Sequence, residues 1–219
     1  MARSTRPSSR RPSRSGNSET PDDFIFSLKA NRFAVNRRTL AEAGPSIQRF
    51  LESGVTELKG KLGPILWQFM HTKKFDPADF EAFLALLPKE QDGVMLRHAV
   101  EPRHESFKTP AFIALARKYG AAIVFADSKK YPAIPDATAD FVYCRLQETQ
   151  DDVPTGYKPA ALKNWVEAAR AWEAGGTPKG LTLIGKAPPK KKRDVFVYFI
   201  AGAKVRNPAA AMAFLKIAK

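Results

Sequence analysis

From Pro21 to the C-terminus, short apolar runs alternate with amphipathic stretches, the pattern of strands separated by helices. Residues 24–29, Phe-Ile-Phe-Ser-Leu-Lys, predict a first strand, and residues 39–59 predict a long helix with Leu40, Ile47, Phe50, Leu51, Val55 and Leu58 on one stripe. Gly63-Pro64 reads as a break before a strand at 65–69. Asp76-Pro77 supplies a capping carboxylate followed by the ring that suits a first helical turn, opening a helix that carries Phe80, Phe83, Leu84 and Leu87 and closes at Pro88. A third strand at 94–101 is followed by a helix from Thr109-Pro110 to Gly120. The run at 121–127 is almost continuously apolar, as a strand covered on both faces should be. Then come a fifth strand at 140–147, a helix at 159–172 ending at Gly175-Gly176, a flexible Lys/Pro-rich connection at 179–193, a last strand at 194–200 and a helix at 208–217.

Six strands alternating with helices predict an α/β fold on a parallel sheet. Polar residues recur where those strands end: Lys29, Gln68, Glu101 with Arg103 and His104, Asp127, and Arg145 with Gln147. A (β/α) barrel gathers such residues on its C-terminal face to build a site, so the pattern favours a TIM-barrel-like fold over an open sheet. The glycine-rich loops G-x-G-x-x-G and G-x-x-x-x-G-K-[ST] are absent, which argues against a dinucleotide-binding or nucleoside-triphosphatase reading.

Composition adds a bias in charge. With 219 residues, 44% of them hydrophobic, the chain can bury a substantial core, and 36 Lys+Arg against 22 Asp+Glu leave a net +14 that favours anionic partners. Residues 1–20 form an Arg/Ser-rich tail with no aliphatic residue after Ala2, and disorder is expected there. Its five arginines against Glu19 account for +4, leaving +10 on residues 21–219, the expected folded domain. The tail reads as a solvated leader, as the product of a misplaced start codon, as a nucleic-acid-binding arm, or as a transit peptide, although Pro7 and Pro12 oppose the helix a transit peptide needs. A single cysteine, Cys144 within an apolar run, offers no disulfide framework and points to a reducing, cytoplasmic setting. No apolar run approaches the roughly 20 residues of a membrane-spanning helix.

The succession Phe26-Ser27-Leu28-Lys29-Ala30, Lys61-Leu62-Gly63-Pro64-Ile65-Leu66-Trp67-Gln68-Phe69, Glu101-Pro102-Arg103-His104-Glu105-Ser106-Phe107, Tyr143-Cys144-Arg145-Leu146 and Asp194-Val195-Phe196-Val197-Tyr198-Phe199 resembles the YecE-like family, domain of unknown function 72. The resemblance runs from about Pro21 to Ile217 and implies a TIM-barrel-like fold with no established reaction or cofactor. It also implies an incomplete barrel. Relatives usually begin with two further strands, carrying Gly-Thr-Ser-Gly-Trp-like and Val-Glu-Ile-Asn-like motifs that this sequence lacks. Val35-Asn36 stands where Thr-His is usual, Gln147-Glu148 where His-Gly follows Arg-Leu, and Ile200-Ala201 where Asn-Asn follows Phe. Six of eight strands would leave two open edges, so the expectation is marginal stability or self-association through those edges.

Each candidate carries a chemical and a structural reading. Glu101 suits a general base or a ligand-binding carboxylate, or else an ion pair with Arg103. His104 suits a proton shuttle, or else an orienting or capping group. Lys29 and Arg145 suit anchors for a small anion, or else a salt bridge to Glu101 or Asp127 inside the mouth. Gln68 suits a hydrogen bond to a ligand or to a neighbouring strand residue, Arg103 and Asp127 are further ligand-binding candidates, and Tyr131 and Tyr157 are loop aromatics suited to lining a mouth. The three-residue spacing of His98, Glu101 and His104 suits metal ligation on a helix, whereas here it straddles a strand and its loop, so no metal site is expected. Two function classes follow. One is an enzyme, or a degenerate one, binding a small anionic or polyhydroxylated ligand at the mouth; the other is a nucleic-acid or polyanion binder using the tail and Lys190-Lys191-Lys192-Arg193.

Overall fold

The computed structural model describes residues 18–219. The expected disorder of the Arg/Ser tail falls almost entirely on residues 1–17 and lies outside the described residues. Six parallel strands form one sheet: β1 (Phe26–Lys29), β2 (Leu62–Gln68), β5 (His98–Glu101), β6 (Ala122–Asp127), β7 (Phe141–Leu146) and β8 (Asp194–Phe199), in that spatial order. Strands next to one another in sequence are next to one another in space, the winding of a barrel rather than of a doubly wound sheet, whose order reverses at a switch point. The helices are α1 (Arg32–Val35), α2 (Gly44–Leu51), α3 (Pro77–Ala85), α4 (Pro110–Tyr119), α5 (Pro159–Glu173) and α6 (Asn207–Ala218).

The sheet curls strongly. Ser27 Oγ on β1 lies 3.0 Å from the Tyr143 hydroxyl on β7 although β2, β5 and β6 stand between those strands in the sheet. The concave face holds Leu66, Ala99, Ala122, Val124, Phe141 and Tyr143, with Phe196 and Tyr198. The convex face is covered by two clusters, one around Trp67, Phe69, Phe80, Phe83, Phe107 and Phe112, the other around Phe125, Leu162, Val166 and Trp172. Strands β1 and β8 are the outer strands of the sheet, so the architecture is an incomplete TIM-like barrel. Phe24 and Ile25 are exposed beside β1, and Val205, Met212 and Leu215 are exposed at the β8 side.

Three expected elements differ. The helix expected over 39–59 is broken into a 3-10 turn (Leu40–Ala43), α2 and a second 3-10 stretch (Val55–Lys61). Pro45 sits in the first turn of α2, where its missing N–H costs nothing, and Gly54 at φ 100° ends the segment in a conformation other residues avoid. The strand expected over 94–101 is split: Glu90–Gln91 (β3) and Val94–Met95 (β4) form a small antiparallel hairpin turning at Asp92 and Gly93, both with positive φ, and β5 begins only at His98. Gly63-Pro64 lies inside β2 and does not break it. The β1–β2 register slips between Phe26 and Leu28, and this bulge accommodates the proline that a regular ladder would exclude. A side chain at Gly63 would come 2.5 Å from Ile25 Cγ2 and 2.7 Å from the Phe26 carbonyl oxygen, so the glycine is what lets the edge strand approach.

The connection at 179–193 is pinned in place. The buried carboxylate of Asp136 accepts the backbone N–H groups of Ile184 (2.9 Å) and Gly185 (2.8 Å). Arg193, only 4% exposed, donates to the carbonyl oxygens of Ala139, Lys191 and Pro189. No described helix is long and apolar enough to cross a membrane.

His98 illustrates how the convex core handles a titratable group. Its Nδ1 accepts the Trp67 indole N–H (3.1 Å) and its Nε2 donates to the Pro88 carbonyl oxygen (2.7 Å), and burial holds the imidazole below its usual range. The folded state therefore keeps His98 neutral while the unfolded chain takes up a proton below about pH 6.5. Stability is full above that value and is lost as pH falls through it. The melting temperature should drop between about pH 7.5 and 5.5, and His98→Gln should flatten that slope; an unchanged slope would remove His98 as its source.

Candidate functional site at the C-terminal mouth

Alternation along each strand decides what reaches the mouth. Ser27 and Lys29, Leu66 and Gln68, Ala99 and Glu101, Tyr143 and Arg145, and Phe196 and Tyr198 are each two residues apart, and the members of a pair share the concave face. Lys29, Gln68, Glu101 and Arg145 thus meet at the carboxyl ends of four strands. Glu101 is fully buried, at 0% exposure, and its two oxygens are fully engaged. Oε1 accepts from Arg103 Nε (3.0 Å), and Oε2 accepts from Gln68 Nε2 (2.8 Å) and from Arg145 Nη1.

This arrangement fixes the orientation of Gln68. A carboxylate can only accept, so Gln68 turns its amide NH2 toward Glu101 and its carbonyl oxygen the other way, where Lys29 Nζ donates to it at 2.8 Å. Lys29 consequently has an uncharged acceptor as its partner. Burial, then the neighbouring Arg145 and Arg103 guanidiniums, hold the Lys29 amine below the usual lysine range, with Glu101 opposing them. Three cations surround one carboxylate, and the excess positive charge faces a cavity of about 250 Å3 lined by Lys29, Arg32, Asn36, Gln68, His71 and Arg103, among others. Arg103 is held from two sides, by Glu101 and by the Tyr131 ring 4.3 Å below its guanidinium carbon. Beneath this layer Tyr143 and Tyr198 stack at 4.8 Å, and burial pushes the Tyr143 hydroxyl up to about 12.

Two of the candidates named from sequence stand apart from this cluster. Asp127 is one residue out of phase: Val124 lies on the concave face and Phe125 on the convex one, so Asp127 turns toward the helices and accepts from the Tyr157 hydroxyl at 2.8 Å. Burial pushes its carboxyl above the usual range. His104 caps the short turn Glu105–Phe107, its Nδ1 accepting from the Ser106 N–H (3.1 Å), and neither of its hydrogen bonds reaches Glu101. The trio of His98, Glu101 and His104 does not converge, because His98 and Glu101 occupy opposite faces of β5.

Sequence reasoning did not single out Arg32, Asn36 or His71, which reach the cavity from loops and the first turn of α1. One signal was available for Asn36, since it stands where the family resemblance leads one to expect a histidine.

No curated protein matches the chain. Among solved structures, a DUF72 family protein from Thermotoga maritima superposes with a TM-score of 0.62 at 20% identity, covering 91% of this chain and 74% of that one. At that identity the likeness speaks for the fold alone. The profile of the family described as "Protein of unknown function DUF72" matches residues 8–219, and with the incomplete barrel this places the chain in the DUF72 family.

Proposed function

We propose that the barrel mouth binds a small organic anion, a carboxylate or phosphate ester, with Arg103 and Lys29 as its principal anchors and Arg145 and Gln68 holding those anchors in place. The observation that carries this reading is the charge balance around Glu101: Arg103 and Arg145 share its single charge, and Lys29 adds a third cation beside an open cavity. Arg103 uses only its Nε toward Glu101, so its terminal N–H groups remain to grip two ligand oxygens side by side. A polyhydroxylated neutral ligand would leave that charge uncompensated.

The polyanion reading draws on the Arg/Ser tail, most of which lies outside the described residues, and on the 190–193 cluster. Arg193 commits its guanidinium to three backbone carbonyls, so within the 190–193 cluster only the three lysines are exposed. The two readings part on one experiment, calorimetric titration of the full chain with inorganic phosphate and with glyoxylate. Arg103→Gln should weaken binding about tenfold or more, since hydrogen bonds to a charged group contribute about 1.5–3 kcal/mol. Arg32→Gln should weaken it less, and replacing Lys190, Lys191 and Lys192 together by Gln should leave it unchanged. If the triple replacement abolishes binding and Arg103→Gln does not, the anion site is on the surface loop and the mouth reading fails.

A further inference from the structure

We propose that Lys29 is a nucleophilic amine which condenses with a small anionic aldehyde or ketone in the mouth cavity to form an imine. This rests on the anion-binding reading above and assigns Lys29 a covalent role in place of simple charge attraction.

Some lysines of the folded domain pair with carboxylates, among them Lys73 with Asp79, Lys108 with Glu105, Lys118 with Glu81 and Lys129 with Glu148. Among the described residues Lys29 has no such partner. The one carboxylate nearby, Glu101, is already occupied by two guanidiniums and a carboxamide, and the carboxamide presents Lys29 with a neutral oxygen. Two guanidiniums next to an amine disfavour its protonated form, and the amine stands at the end of β1 in the wall of a cavity. Lys29 is solvent-accessible at the cavity edge, and its charged neighbours are guanidiniums and not a free carboxylate.

The same cavity contains the remaining parts. Arg103 can hold the acid group of an α-oxo acid in the same cavity that Lys29 lines, which brings the adjacent carbonyl carbon within the cavity the amine faces. Some 250 Å3 suits an acid of a few carbon atoms. In the reaction the Lys29 nitrogen lone pair forms a bond to the carbonyl carbon while the C=O π pair moves to oxygen, which takes up a proton. The nitrogen gives up both of its protons in the course of the addition and the elimination, the oxygen takes up two in all, and its departure as water breaks the C–O bond and leaves the C=N imine. Amine and carbonyl become imine and water, with no change of oxidation state. His71, which lines the cavity, is the side chain placed to move the proton.

The test is reductive trapping. The full chain is incubated with glyoxylate and cyanoborohydride at neutral pH, which fixes any imine as a carboxymethyl-lysine, and the modified position is located by peptide mass mapping. Phosphate binding to the unmodified protein is titrated in parallel. Lys29 should carry the adduct at least about fivefold above exposed Lys190 or Lys192, because a bound carbonyl is presented to it at high effective concentration. Saturating phosphate should suppress the Lys29 adduct and leave the others, and Lys29→Arg should remove that adduct from a protein that still melts cooperatively. Adducts spread evenly over the lysines, with phosphate binding intact, would overturn the imine and keep the anion site. Selective labelling of Lys29 without phosphate binding would sustain the imine and sink the anion reading, and absence of both would overturn the two together.

Discussion

Glu101→Ala is expected to lower the free energy of unfolding by about 3–5 kcal/mol, the cost of removing one partner from a buried ion pair. The wild-type carboxylate has no contact with solvent, and the Arg145 and Arg103 side chains that grip it are 11% and 21% exposed. Without Glu101 these guanidiniums and the Lys29 amine would crowd one another in a partly dry mouth, and Gln68 would lose the acceptor that fixes its orientation. Glu101→Gln keeps the volume and one acceptor oxygen and should fall between the wild type and the alanine variant. Salt provides a control: raising it to about 1 M shortens the screening length to about 3 Å, which should weaken exposed pairs such as Lys118–Glu81 and leave the Glu101 cluster largely intact. Chemical denaturation at low and high salt measures both effects. A loss below about 1 kcal/mol for Glu101→Ala would place the cluster among ordinary solvated ion pairs and would remove the physical basis for charge crowding at the mouth.

The alternation of strands and helices was legible because each strand is an apolar run bounded by turn or capping residues. Asp76 does accept the Asp79 N–H, and Gly120 does close α4 with a left-handed φ. The failures share a cause: an apolar stripe reports burial, not continuity. Leu40, Ile47, Leu51, Val55 and Leu58 all face the core, yet they do so from three short segments, since Gly54 and Pro45 matter more to the backbone than the spacing of the stripe. Gly63-Pro64 looked like a stop because its meaning depends on the neighbouring strand, which no local pattern contains.

At the mouth, position at a strand end brings some of the candidates together and leaves others apart. Lys29, Gln68, Glu101 and Arg145 converge because each lies two residues beyond a concave-face residue, a rule that period-two alternation already contains. The same count applied to Ala122-Ile123-Val124-Phe125-Ala126-Asp127 would have turned Asp127 away from the mouth. Arg103 and His104 lie past the strand, where alternation no longer holds; one is drawn in by Glu101 and the other by the turn it caps. His71 from a loop and Arg32 from the first turn of α1 reach the cavity by paths that only the folded chain discloses.

Phe107→Ala should cost about 3–5 kcal/mol, the range for emptying a buried aromatic site, and should also weaken ligand binding at a distance. The Phe107 ring is fully buried and packs against Phe75, Phe80 and Phe112 with centroids 5.2, 5.5 and 5.0 Å away, and against Phe69 at 6.5 Å. It is also the last residue of the turn that follows Arg103, a turn held on its other side by the Phe75 N–H donating to Ser106 Oγ at 2.8 Å. Its ring therefore anchors the loop from which Arg103 reaches Glu101. Removing it leaves a cavity that neighbouring rings fill only in part, and the freed loop should let Arg103 wander, weakening phosphate binding several-fold under conditions where the variant remains folded. Phe107→Leu, which keeps most of the volume, should lose less stability and recover most of the affinity. A destabilised Phe107→Ala variant with unchanged affinity would show that Glu101 and Tyr131 alone hold Arg103, so that the aromatic cluster supports the fold and not the mouth.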